Sequence, residues 1–152
     1  QSIIGSDFSF NAKIKKNILL YTYYSYTNAV SIVSNAEHTK VPRIADHKIW
    51  IGVTAQNLFK YITISTRFKW SSDMYNDNNA VFPNKNQAGF YTLDLSLSVN
   101  NLSKYFRLYA NFENLTGKKL EHGGLYEQGG IYTATIPQQG FAFRTGIELF
   151  FE

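Results

Sequence analysis

The sequence predicts an all-β fold, an antiparallel up-and-down transmembrane β-barrel to which this chain contributes about seven strands. Three observations lead to this prediction. Apolar and polar residues alternate in several stretches, and no run of about 18 apolar residues could form a transmembrane helix. Short and long connections also alternate strictly along the chain. Membrane barrels have short turns at one end and long loops at the other, a regularity that a soluble sandwich does not require.

The composition is compatible with a barrel. Aromatic residues make up 16% of the 152 residues, with 11 Tyr and 12 Phe, which favour strands and membrane interfaces. Charged residues are 17%, against about 25% in typical soluble domains. The mean hydropathy of −0.25 averages lipid-facing and lumen-facing residues. The net charge of +4 is scattered over the chain, so we expect no nucleic-acid binding, and the absence of Cys excludes disulfides and thiolate metal sites.

The first half of the chain predicts three strands. They cover residues 8–14, 18–26 and 49–56, and apolar and polar side chains alternate in the first and the third of these. A short polar turn joins the first two, and a long loop over residues 34–46 separates the second from the third. The facing of the second strand is ambiguous from sequence, because both of its faces carry aromatic residues.

The second half predicts four further strands, over residues 62–70, 91–99, 106–113 and 141–151. Short connections at residues 57–60 and 100–104 alternate with long loops at residues 73–89 and 115–140. All three prolines, Pro42, Pro83 and Pro137, fall in the long loops, where no ladder donor is needed. The apolar positions change from odd to even numbers across both short connections. An even-length hairpin loop keeps such apolar faces on the same side of the sheet.

The last predicted strand carries a further pattern. Arg144, Gly146, Leu149 and Phe151 together resemble the C-terminal β-signal by which the outer-membrane assembly machinery recognises barrel proteins. Glu152 departs from that pattern, which usually stops on the aromatic residue. Single-chain bacterial barrels have an even number of strands and must close, because lipid cannot satisfy a free edge. We therefore expect the chain to be the C-terminal part of a larger barrel.

Several motifs resemble those of TonB-dependent outer-membrane receptors. Residues 108–119 resemble the N-x-x-N-L-T-x-K-x-Y segment of the penultimate strand, with Leu120 at about the position of the family's Tyr. Residues 137–141 resemble the start of the last strand, and residues 23–29 an earlier strand of the family. Val41-Pro42 and His47 resemble the segment that follows that earlier strand. The motifs occur in the family's order.

The resemblance implies a barrel of about 22 strands that encloses a plug. Residues 1–152 would supply about the last seven strands of one barrel domain, and the plug domain would lie outside this chain. The implied function is active uptake of a scarce ligand across the outer membrane of a Gram-negative bacterium. That ligand is most often a ferric siderophore, and otherwise haem, cobalamin or another metal complex. The implied partners are the TonB complex, outer-membrane lipid and the barrel assembly machinery.

Two sets of residues are candidates for function. The loop candidates for ligand contact on the extracellular side are His38, His122, Tyr126 and Glu127. The polar residues predicted to face the lumen are Arg67, Lys69, Asp94, Arg107, Glu113, Arg144 and Glu148, which would be costly in lipid. The three His residues are too dispersed for a metal-binding motif, and no catalytic arrangement is visible. We expect neither an enzyme nor a resident cofactor or metal.

Two alternatives stay open from sequence alone. A soluble antiparallel sandwich would use the Tyr-rich strands as a core and the long loops to bind carbohydrate or protein. A small barrel would be a passive outer-membrane pore. A sandwich buries, and a barrel exposes to lipid, the side chains of Leu93, Leu95, Phe106, Leu108, Phe143 and Ile147.

Overall fold

The computed structural model describes residues 2–33, 37–75, 86–100, 105–123 and 135–151. Within these ranges the chain forms twelve strands and no helix long and apolar enough to cross a membrane. The strands are β1 (Ser2–Lys15), β2 (Ile18–Val33), β3 (Glu37–Lys40), β4 (His47–Leu58), β5 (Ile62–Ser71), β6 (Met74–Tyr75), β7 (Asn86–Gln87), β8 (Phe90–Val99), β9 (Phe106–Glu113), β10 (Glu121–Gly123), β11 (Thr135–Pro137) and β12 (Ala142–Leu149).

Seven of the described strands are long and form one antiparallel sheet in the order β1-β2-β4-β5-β8-β9-β12. Each long strand therefore pairs with its neighbours in sequence, as in an up-and-down barrel wall. The remaining strands lie in the three long connections. β3 pairs with the end of β2, and the pairs β6/β7 and β10/β11 form two small separate ladders.

The predicted strand bounds agree best in the second half. β9 covers the predicted residues 106–113, and β5 and β8 each differ from the prediction by one residue. β1 and β2 are longer than predicted, because the main chain from Ser2 to Asp7 continues the ladder with Ser25 to Val30. The sequence around Gly5 breaks the apolar alternation there, but ladder hydrogen bonds join main-chain atoms and do not depend on it.

The last strand is shorter than predicted. β12 ends at Leu149, so the prediction that it extends to Phe151 is wrong. Its partner β9 begins at Phe106, and the main-chain N–H of Phe150 reaches the carbonyl of Tyr105 at 2.8 Å, one step beyond the strand. The ladder beyond this point lacks a described partner segment.

The register of the sheet decides which way β2 faces. Leu20 pairs with Ala12 on one side and with Val53 on the other. The same row continues through cross-strand partners to Thr66, Leu95, Phe112 and Phe143. The even-numbered residues of β2 therefore share the apolar face, whereas Tyr21 and Tyr23 lie on the polar face opposite Gly52 and Trp50.

The apolar face is not covered by a second sheet. Of the six residues that distinguish a sandwich from a barrel, Leu93, Phe143 and Ile147 are exposed, and Leu95, Phe106 and Leu108 are half-buried. The buried apolar residues of the described part of the chain are Ala29, Ala45 and Met74, which together are far too small for a sandwich core. The wall of a transmembrane barrel has this arrangement, because lipid covers its outer face.

The long connections contact one another at one end of the sheet, called here the long-loop end. Ala45 bridges Met74, and the N–H of Arg43 donates to the carbonyl of Tyr75 at 2.8 Å. The side-chain amide of Gln87 donates to the carbonyl of Glu121, which joins the second long connection to the third. Hydrogen bonds thus link all three connections side by side.

Candidate functional site

The polar face at the long-loop end carries a cluster centred on Asp94. Arg67 lies directly opposite Asp94 in the β5/β8 ladder, and Lys69 follows two residues later on the same face. The Asp94 carboxylate atom Oδ2 lies 2.8 Å from Lys69 Nζ and 3.1 Å and 3.3 Å from two guanidinium nitrogens of Arg67. Direct and diagonal cross-strand pairs bring such side chains within reach. Asp94 is only 8% exposed, so both cations offset the cost of burying its charge.

The second oxygen of Asp94 binds the main chain where β9 ends. Its Oδ1 accepts the N–H of Asn114 at 3.1 Å. Asn114 is 4% exposed and has a left-handed φ of 52°, which Asn tolerates better than most residues. Its Nδ2 donates to the carbonyl of Lys118 at 2.8 Å, and its Oδ1 accepts the hydroxyl of Thr116 at 2.6 Å. The Asn-Leu-Thr motif therefore builds a tight turn whose first residue is fixed by Asp94.

Two further ion pairs join β9 to β12. Arg107 and Glu148 are register partners, and Arg144 reaches Glu113 diagonally across the same ladder. Both pairs are largely exposed within this chain, so each contributes at most about 1 kcal/mol in water. All seven charged residues predicted to face the lumen thus lie on the polar face and form ion pairs. Their facing a lumen stays a prediction.

A cleft beside the Asp94 cluster is lined by aromatic and cationic side chains. Its volume is about 410 Å³, and its lining includes Trp50, Lys48, Lys69, Asp94 and Asn114. The Trp50 ring is half-exposed and packs in a tilted arrangement against the ring of Tyr23, with 5.2 Å between the ring centroids and an interplanar angle of 40°. An aromatic surface beside cations suits a planar anionic group, because stacking and charge attraction act together.

Two tyrosines on the polar face lie over glycines of the neighbouring strand. Tyr21 of β2 covers Gly52 of β4, and a Cβ at Gly52 would overlap Cζ, Cε1 and the hydroxyl oxygen of this tyrosine. Tyr109 of β9 covers Gly146 of β12, where a Cβ would lie 2.5 Å from Cζ and 2.8 Å from Cε1 of that ring. Each glycine therefore makes room for an aromatic side chain directly across the ladder.

The predicted ligand-contact residues lie in different parts of the long-loop end. His38 is in β3 and pairs with Ile32, and His122 is in β10 and pairs with Ile136. Tyr126 and Glu127 lie outside the described residues. The described part of the chain contains no group of three or more His, Cys, Asp or Glu that could hold a metal ion. A ligand role for these four residues stays a prediction.

Sequence reasoning missed several residues at this end of the sheet. The cleft that Trp50 and Lys48 line was not predicted from the sequence. Tyr21 and Tyr23 lie in the strand whose facing was ambiguous. His47 begins β4, and its Nδ1 lies 2.9 Å from the hydroxyl of Tyr24 on the apolar face. The alternation along β4 is enough to assign Trp50 to one face of the sheet. Assigning Tyr21 and Tyr23 to a face requires the register of the β2/β4 ladder.

Arg144, Gly146 and Leu149 of the predicted assembly signal lie in β12. Arg144 and Gly146 are on the polar face, and Leu149 is on the apolar face opposite Phe106. Phe151 lies beyond the strand and is 89% exposed. Its side chain is therefore accessible to a partner protein. Recognition of Phe151 by the assembly machinery stays a prediction.

Comparison with known proteins identifies the fold. No protein-family model matches the sequence, and a comparison with curated proteins finds no significant match. Among solved structures, the chain is similar to the siderophore receptor PiuA of Acinetobacter baumannii, with 16% identity and a TM-score of 0.67 over 95% of this chain and 21% of that one. It is similar to the ferric-catecholate import receptor Fiu of E. coli K12, with 14% identity and a TM-score of 0.75 over 97% and 20%.

The copper transporter OprC gives a further match, with 18% identity and a TM-score of 0.70 over 97% of this chain and 23% of that one. The chain therefore spans about a fifth of the length of each of these structures. These three structures share with this chain the antiparallel wall on which the Asp94 cluster and the cleft are built. The chain has the fold of a segment of the β-barrel of TonB-dependent outer-membrane receptors, as its motifs predicted.

Proposed function

We propose that residues 1–152 are the C-terminal part of the barrel domain of a TonB-dependent receptor, and that this receptor imports a scarce metal complex through the outer membrane of a Gram-negative bacterium. One observation carries the proposal. Seven long strands form an up-and-down wall with an uncovered apolar face and a polar face of paired charges, and this wall superposes on such receptors. The order of the sequence motifs supports the same family.

The dimensions of the wall support a position in the membrane. Tyr61 lies in the turn before β5, and Trp70 is near the other end of that strand, nine residues later. At about 3.4 Å per residue and a tilt of about 40°, this separation corresponds to about 23 Å along the membrane normal. The apolar band of outer-membrane barrels is about 25 Å tall and has aromatic residues at both edges. Trp70 also continues the row of Tyr91 and Ile49 on the apolar face.

The charges support a wet lumen on the opposite face. Lys or Arg facing lipid at the membrane midplane costs about 2–4 kcal/mol. Arg67, Lys69, Arg107 and Arg144 all lie on the polar face and contact carboxylates there. A water-filled or plug-filled lumen accepts this arrangement, and the plug domain outside this chain would face it.

A ferric siderophore is our first candidate for the ligand, and haem, cobalamin or another metal complex are the alternatives. Trp50 and Lys48 in the cleft can contact the organic part of an anionic chelate. We place His38, His122, Tyr126 and Glu127 on the extracellular side, where they would meet the ligand first.

The test is uptake by the full-length protein in cells. A strain that lacks this gene would be grown with limiting iron and supplied with radioactive iron as catecholate, hydroxamate or carboxylate siderophores, as haem, or with radioactive copper. We expect the gene to restore uptake of one chelate, and deletion of TonB to abolish that uptake. Uptake that persists equally without TonB would instead indicate a passive pore. If the gene restores uptake of none of these probes, the proposal is contradicted.

A further inference from the structure

The carboxylate of Asp94 is shared between two unlike partners. Its Oδ2 faces the cations Arg67 and Lys69, which extend from β5. Its Oδ1 faces the main-chain N–H of Asn114, at the point where the chain leaves β9. All of these contacts lie within this chain.

The Asn114 N–H occupies a place where the regular ladder has ended. The last register partners toward this end of β8 and β9 are Leu95 and Phe112. Beyond them, the N–H of Leu115 donates to the carbonyl of Leu93 at 2.7 Å, while the N–H of Asn114 donates to the side chain of Asp94. Asp94 thus replaces a main-chain acceptor where the left-handed φ of Asn114 turns the chain.

The turn that begins at Asn114 shapes one wall of the cleft. Asn114 binds Thr116 and Lys118 through its side chain, and Asn114 and Leu120 line the same cleft as Trp50. A change in the direction of the chain at Asn114 would move Leu120 relative to Trp50. Asp94 therefore joins the cations of β5 to the turn that begins at Asn114.

We propose that Asp94 is a positioning residue: Arg67 and Lys69 hold one of its oxygens, and this fixes the other oxygen as the acceptor that sets where the connection after β9 leaves the wall. The hydrogen bond from the Asn114 N–H to Asp94, called here the anchor, is independent of the proposed function. Only the description of the cleft as a ligand site rests on the proposed function. Removing the charge but keeping the size of the side chain separates the two roles of the carboxylate.

The experiment uses the full-length protein with cysteines introduced for spin labels at Lys119, in the connection, and at Lys60, in a turn at the opposite end of the sheet. Both side chains are exposed, and this chain contains no native Cys. The distribution of distances between the two labels reports how firmly the connection is held. We expect a narrow distribution for the parent protein and one at least about twofold broader for Asp94→Asn.

The expected broadening has a definite cause. Asparagine offers a single side-chain oxygen, which the two cations attract, so its amide NH2 would face the N–H of Asn114 and repel it. Replacing the cations as well, in the triple variant Asp94→Asn, Arg67→Met, Lys69→Met, frees that oxygen to accept from Asn114. We therefore expect the triple variant to recover the narrow distribution. A merely structural ion pair would make the triple variant at least as disordered as Asp94→Asn.

Two controls complete the test. Glu148→Gln alters an ion pair on the same face, away from Asn114, and should leave the distribution unchanged. The heat-dependent electrophoretic mobility of the barrel reports whether each variant is folded. An unchanged distribution in Asp94→Asn, or a triple variant as broad as Asp94→Asn, would overturn the proposal. If the variants do not fold, hydrogen exchange of the parent protein decides, because an unprotected Asn114 amide is incompatible with the anchor. No measurement here requires a ligand or transport.

Discussion

Replacing Gly146 by Ala tests whether this glycine is required for packing or only for recognition during assembly. A Cβ at this position would lie 2.5 Å from Cζ and 2.8 Å from Cε1 of Tyr109. Ordinary contact between such atoms needs about 3.5 Å, so the ring must retreat by about 1 Å. Overpacking costs about 1–3 kcal/mol in proteins. We expect the lower part of that range, because the clashing atoms belong to the outer half of a movable ring on the polar face.

The assay is urea-induced unfolding of the full-length protein in phospholipid vesicles, with Gly146→Ala measured alone and together with Tyr109→Ala. We expect the Gly146→Ala penalty of about 1–2 kcal/mol to fall below about 0.5 kcal/mol once the ring is absent. Gly140→Ala is the matched control, since in the described part of the chain no atom other than those of its chain neighbours lies within 4 Å of the added Cβ there. An equal penalty with and without Tyr109 would refute the packing argument. Assembly in cells that remains impaired in the double variant would indicate recognition of Gly146 itself.

Three further predictions concern the faces and ends of the strands. Phe151→Lys should reduce the surface abundance of the full-length protein more than Phe150→Lys does, because Phe151 occupies the last position of the predicted assembly signal. A Lys that faces lipid near an interface costs only about 0–1 kcal/mol, so a large defect at Phe151 would point to that signal. Equal mild effects of the two substitutions would contradict it. Leu95→Lys, on the apolar face, should destabilise the protein by about 2–4 kcal/mol in the same vesicle unfolding assay. The neighbouring substitution Ser96→Lys, on the polar face, should cost less than about 1 kcal/mol. Similar costs for the two substitutions would contradict the assignment of the faces. Asn114→Ala should lower the free energy of unfolding by about 1–3 kcal/mol in the same assay, and Asn114→Gly should lower it less. Glycine keeps the left-handed φ easily and loses only the side-chain hydrogen bonds of Asn114. A larger loss for glycine than for alanine would show that the φ angle is unimportant.

The sequence predicted the strands where alternation is strong and uninterrupted. β9 has the predicted bounds because apolar side chains at Phe106, Leu108 and Phe112 alternate with polar ones over its whole length. The start of β1 was missed because Gly5 interrupts the pattern, although the main-chain ladder continues through it. Local side-chain patterns report which face meets lipid or water, and main-chain pairing extends beyond the region where that distinction exists.

The candidate site was predictable only in part, for a related reason. Parity correctly placed Asp94 and Arg67 on one face, since side chains alternate along every strand. Their contact depends on the relative register of β5 and β8, which neither strand specifies by itself. The bond from Asn114 to Asp94 and the packing of Tyr109 on Gly146 also join residues that are distant in sequence. Such partners emerge only when neighbouring strands are aligned.

The contacts among the long connections bear on how such a protein can diverge in evolution. The Ala45–Met74 bridge and the bond from Arg43 N–H to the Tyr75 carbonyl join main-chain atoms, which every non-proline residue supplies. Mutations can therefore replace many side chains in the first and second long connections while these two connections stay side by side. This tolerance is consistent with an architecture retained at 14–18% identity to receptors whose names specify ligands as different as ferric catecholate and copper.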